Sequence, residues 1–114
     1  MGMTVKFAKR KLEKEFSDDR KLKQARGNQQ AKLIQQRLSE LRAATTLADM
    51  WKLPAVRCHE LTGNLKGMIS LDLNYPYRLL ISVSGEGVQY RQDRDLVHES
   101  VTVVIIEEVV NTHE

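Results

Sequence analysis

Side chains able to cleave a phosphodiester without a metal are gathered in the middle of this chain. His59 lies four residues ahead of Gly63, Lys66 falls in the turn between Gly63 and Gly67, and Arg78 follows on the strand after next. An imidazole exchanges protons at neutral pH because its unperturbed pKa is about 6.5. RNA supplies its own nucleophile, the 2′-OH, which attacks the adjacent phosphate. That reaction needs a base for the 2′-oxygen, an acid for the departing 5′-oxygen, and cations for the charge building on the pentavalent phosphoryl group. His59 and His113 are the candidate acid–base pair, and Arg78 and Lys66 the candidate cations. No set of residues has the spacing of a metal site, and no cofactor is expected.

Each assignment has a plainer competitor. His59 shares strand parity with Leu61, which would make it a half-buried structural histidine. Arg78 alternates away from Tyr77, Leu79 and Ile81 and should face the open side of a sheet, where it could equally form a surface ion pair with Asp72 or Glu60, a contact worth little. A lysine in a turn, such as Lys66, is usually just solvated. His113 is next to last, where chains are often poorly ordered. His98 sits in a polar stretch and is given no role. Of Glu107 and Glu108, one must point to the opposite side of its strand from the other. Cys58 reads as a small packing residue, since nothing nearby in sequence activates it. Trp51 reads as a core plug and not as a stacking platform.

The elements that must position these residues follow from periodicity. Thr4 to Phe7 has the look of a short strand, and Leu12 and Phe16 are spaced for a helical turn or two. Ser17-Asp18-Asp19 can cap a helix with side-chain oxygens. Gly27 should end that segment, and Asn28 should cap the next. Ala31, Ile34, Leu38 and Leu41 form the stripe of one well-defined helix, running to about Ala44. Pro54 ends the turn that carries Leu47, Met50 and Trp51. From Val56 the period becomes two. Ile69-Leu71-Leu73 and Tyr77-Leu79-Ile81-Val83 should pair as an antiparallel hairpin around Asn74-Tyr75-Pro76. Residues 85–100 read as a long polar loop, which in a small domain is either functional or mobile. Val101 to Val110 is a β-branched run suited to a central strand covered on both faces. The expected order is β-α-α-β-β-β-β, with helices on one face of an antiparallel sheet and the other face open.

The chain has 114 residues, enough for one domain with one core. Its longest apolar run, Val103-Val104-Ile105-Ile106, is far too short to span a bilayer, and residues 1–6 lack a hydrophobic signal segment. Cys58 is the only cysteine, which excludes an internal disulfide and fits a reducing compartment. A cytoplasmic location with no membrane partner is expected. Residues 1–43 carry twelve Lys and Arg against five Asp and Glu, a balance of +7, and the remainder carries −4, making the net +3. The helical part is therefore the basic part. Such a surface attracts phosphate backbones and acidic partners, unless it is simply a solvated face.

The run from Arg57 through Cys58-His59-Glu60-Leu61-Thr62-Gly63 to Lys66-Gly67, followed by Ser70-Leu71-Asp72-Leu73 and Pro76-Tyr77-Arg78-Leu79, resembles the core signature of the RelE/ParE toxin superfamily. It is most similar to the HigB-like branch, the plasmid maintenance system killer proteins. The resemblance covers essentially the whole chain. It implies a single toxin domain over residues 1–114 with an α+β, RelE-like fold: an N-terminal strand and two helices packed on one face of a small, mainly antiparallel sheet. It implies a type II toxin, a ribosome-dependent mRNA interferase paired with a helix-turn-helix, HigA-like antitoxin. By position, His59 matches the family's strand histidine, Arg78 its transition-state arginine and His113 its terminal histidine. Arg57 and Lys66 fall where RNA-contacting basic residues are common, and Ser70 joins them as a candidate RNA-binding residue. The chain departs from the family at Thr62, often a lysine, and at Thr112, usually a tyrosine. Those departures keep a further function open, a catalytically weakened module that mainly binds its antitoxin. A ParE-like gyrase poison would share the fold but not the catalytic set, and the His59 and His113 pair argues against it.

Overall fold

Short periodic segments become, in chain order, β1 (Thr4–Phe7), α1 (Arg10–Phe16), α2 (Asp19–Ala43), α3 (Ala48–Trp51), β2 (His59–Glu60), β3 (Ile69–Asp72), β4 (Tyr77–Val83) and β5 (Val103–Asn111). These elements are seen in a computed structural model that describes residues 2–111. The strands form one sheet in the order β1-β5-β4-β3-β2. β1 runs parallel to β5, and the other three pairings are antiparallel.

Strand parity decides which face meets the helices. Ile69, Leu71, Leu79, Ile81, Val104 and Ile106 are buried together with Leu22, Ala31, Ile34, Leu38 and Leu41 of α2 and Leu12 and Phe16 of α1. Successive strand residues point to opposite faces, so Ser70, Asp72, Arg78 and Ser82 lie on the other side. The α+β architecture read from the sequence, with helices packed against a small and mostly antiparallel sheet, is the one found.

Three details bear on the periodicity reading. First, the break expected at Gly27 is present: α2 is two helical segments meeting at a kink, where Gly27 takes the non-helical φ 80° and ψ 163°. Asp18 caps the first segment, as expected, accepting from the backbone N–H groups of Arg20 and Lys21 at 3.0 and 3.2 Å. Second, β5 is flanked by β1 and β4, but only Val104 and Ile106 of it are fully buried, while Val103 and Ile105 are half-buried. Third, a bulge between Leu80 and Ile81 pairs Leu80 with Glu108 and Ile81 with Ile106. Glu107 is the extra residue, freed from strict alternation, and its Oε2 accepts from Ser82 Oγ at 2.6 Å.

The polar stretch after β4 is tied down. Tyr90 and Leu96 form an isolated bridge, Arg91 N–H donates to Asp95 O at 2.7 Å, and Val97 N–H donates to Gln89 O at 3.0 Å. Leu96 is buried in the core. The loop is therefore a small folded hairpin ending in a 3-10 turn at His98–Ser100.

Candidate active site

Register brings the candidate residues together. Across the sheet His59 pairs with Ser70, and Asp72 pairs with Arg78. Directly opposed residues share a face, so β2, β3 and β4 present these side chains on the side that the helices leave uncovered. Gly63 (φ 67°) and Gly67 (φ 96°) turn the chain between β2 and β3, a conformation that side chains other than glycine rarely adopt.

Arg78 Nη1 lies 2.6 Å from His59 Nε2. A guanidinium only donates, so Nε2 is the acceptor and the ring proton sits on Nδ1. The same Nη1 donates to Ser70 Oγ at 3.4 Å, and Ser70 is fully buried. The Nε of Arg78 is 3.5 Å from Asp72 Oδ1, and Asp72 Oδ2 is 3.5 Å from the Nε of Arg57. Arg57, Cys58, His59 and Arg78 line a pocket of about 250 Å³. The half-buried, structural reading of His59 does not hold, because the residue is exposed. The plain reading of Arg78 is met in part: its ion pair with Asp72 is present, beside the contact with His59.

The backbone under the pocket is constrained. Arg57 is left-handed (φ 49°, ψ 54°), an uncommon conformation for a residue with a side chain and one that concentrates at functional sites. Buried Arg37 of α2 braces the same region from the core side. Its Nε donates to Asp72 O at 2.8 Å and its Nη2 to Ala55 O at 3.3 Å. One helix residue thus holds both the end of β3 and the segment leading into Arg57.

The remaining candidates lie elsewhere. Lys66 and Thr62 line a second groove, of about 650 Å³, formed between the β2–β3 turn and the loop after β4. That groove also holds Tyr90, Arg91, Arg94 and four carboxylates, those of Glu60, Asp93, Asp95 and Glu99. His113 and Thr112 fall outside the described residues. Among the described residues, no group of three or more His, Cys, Asp or Glu is placed to hold a metal ion. Cys58 Sγ points at Met50 O at 3.7 Å, and burial pushes its thiol up to about 12, so it is no nucleophile at neutral pH.

Sequence reasoning missed His98. Its ring stacks on Trp51 with centroids 3.9 Å apart, and its Nε2 is 3.0 Å from Glu60 Oε2. Trp51 packs against the core as a partly buried side chain, as expected, and its ring also carries His98. No local signal could have revealed this, because Glu60 and His98 are 38 residues apart and meet only in the folded sheet.

A protein-family model described as RelE-like toxin of type II toxin-antitoxin system HigB matches residues 5–92. No curated protein and no solved structure matches the chain.

Proposed function

The chain belongs to the HigB-like family of RelE-like toxins of type II toxin–antitoxin systems, and from that premise we propose that it is a single-domain, cytoplasmic, ribosome-dependent mRNA interferase. His59 Nε2 takes the proton of a 2′-OH, the 2′-oxygen bonds to phosphorus, and the bond to the 5′-oxygen breaks. The products are a 2′,3′-cyclic phosphate and a 5′-hydroxyl. His113 returns a proton to the leaving 5′-oxygen. Arg78 carries the phosphoryl charge, and Arg57 and Lys66 hold the RNA backbone. Ser70 serves the RNA site from beneath Arg78, since it is buried there. The family implies an antitoxin, and a HigA-like helix-turn-helix protein is the proposed partner. No described helix is long and apolar enough to cross a membrane.

The observation that carries this reading is the 2.6 Å contact between His59 and Arg78 on the uncovered face. An unprotonated ring nitrogen beside a cation is the pairing that 2′-OH attack uses. The test is incubation with translating ribosomes and mapping of mRNA ends; intact message with the wild-type protein sinks the reading. Arg78→Ala should lower cleavage by about 10²–10³-fold, the usual cost of removing one charge-stabilising donor, and should abolish growth arrest while circular dichroism stays native. Normal toxicity in a folded mutant refutes the role.

Thr62 and Thr112 favour a second reading, a weakened toxin whose task is to hold its antitoxin. It predicts harmless overexpression and tight antitoxin binding. DNA damage without mRNA cleavage would point instead to a gyrase poison.

A further inference from the structure

We infer that Asp72 is a positioning residue for both arginines of the pocket, and the acceptor onto which Arg78 moves when RNA displaces it from His59. This rests on the reading of the pocket as an RNA-cleaving site. In the free protein His59 Nε2 is occupied by Arg78 Nη1. A base cannot take a proton through a lone pair already engaged by a guanidinium. The guanidinium must therefore leave Nε2 before the 2′-OH can approach it, and it needs somewhere to go.

Asp72 Oδ1 is that place. It is shut off from solvent and accepts no hydrogen bond among the described residues, yet the Nε of Arg78 is only 3.5 Å away. An orphaned buried carboxylate oxygen is costly, and a small shift of Arg78 would satisfy it. The other oxygen faces the Nε of Arg57 at 3.5 Å. Arg37 holds the Asp72 backbone from the opposite side, so the carboxylate is the fixed member and the two guanidinium groups are the ones that move. Arg57, with most of its side chain in solvent, sweeps the pocket mouth, and Arg78 works inside it. With one acid between two cations, the pocket keeps a single excess positive charge.

The test uses the full chain with Asp72→Asn, which has nearly the same shape and no charge. Three measurements are made: ribosome-dependent cleavage, binding of a 2′-O-methyl oligoribonucleotide that cannot be cut, and the arginine Nε–Hε signals in a ¹⁵N NMR spectrum. The variant should cut with kcat lower by about 10²-fold, the cost of a misplaced catalytic group, and with KM unchanged or lower. Its binding of the oligonucleotide should be at least as tight, and steeper in salt by about 0.7 in log–log slope, for one further phosphate neutralised. In the wild type, adding the oligonucleotide should protect the Arg78 Nε–Hε proton from solvent exchange, and in Asp72→Asn it should not. Asp72→Glu should restore part of kcat. Equal losses in kcat and affinity, or unchanged slope and exchange, overturn the inference. If the wild type cuts no message, the nuclease reading falls, while the binding and exchange measurements still decide whether Asp72 orders the arginines.

Discussion

Arg78 is held by three neighbours at once, His59, Ser70 and Asp72, and it is the side chain whose environment the sequence least predicts in detail. Alternation alone placed it on the open face. The identity of its partners depended on the β2–β3 and β3–β4 registers, which set His59 across from Ser70 and Asp72 across from Arg78. A one-residue slip would have sent the arginine into the core. Cys58 shows the opposite case, where the packing role read from the sequence is the role found. Desolvation raises its thiol from 9.0 to about 12. Two outcomes follow. Iodoacetamide at pH 8 should label the native protein far more slowly than the urea-unfolded chain, and rapid native labelling would contradict the burial. The raised value also fixes a sign. The stability tied to this group is intact below pH 9.0 and is lost as the pH climbs toward about 12, a slope that Cys58→Ala should flatten in urea titrations.

Among the elements, α2 carries the sharpest constraint. Gly27 at φ 80°, ψ 163° occupies a region that is nearly glycine-only. Space is not the issue, since a β-carbon added at that residue would meet nothing within 4 Å. Gly27→Ala should therefore cost about 1–3 kcal/mol through backbone strain alone, read as a lower urea midpoint with unchanged m-value. An unaffected midpoint would mean that the kink straightens without loss. The sequence marked this glycine as a break, and correctly so, but periodicity cannot tell a terminated helix from a bent one. The loop after β4 was legible only as polar and long. Its order comes from Leu96 entering the core and from His98 meeting Trp51 and Glu60, contacts between segments far apart in the chain.

At the scale of the whole molecule, charge is segregated by element. The cations of residues 1–43 lie mostly on α1 and α2, and Lys14 and Lys21 are both exposed there. A surface of this kind raises encounter rates with a polyanion and gives binding that weakens with salt. Lys14→Glu combined with Lys21→Glu should weaken association with ribosomes and flatten its salt dependence. Stability should stay within about 0.5 kcal/mol of wild type, as for most exposed sites. Ribosome pelleting at low and high salt measures this. Unchanged association would assign the helical charge to solvation alone.

By itself the sequence determined the strands, the amphipathic stripe of α2, the break at Gly27, the basic character of the helical half and the family. These are local properties, carried by spacing, turn chemistry and composition. Only the tertiary structure decided that His59 and Arg78 touch, that Lys66 lines a different groove, that Arg37 braces the pocket from the core, and that Asp72 stands between two arginines. Those outcomes depend on which residues of separate strands end up opposite each other. Strand register is set by the joint burial of Ile69, Leu71, Leu79, Ile81, Val104 and Ile106 against α2, a condition that no single segment of the chain contains.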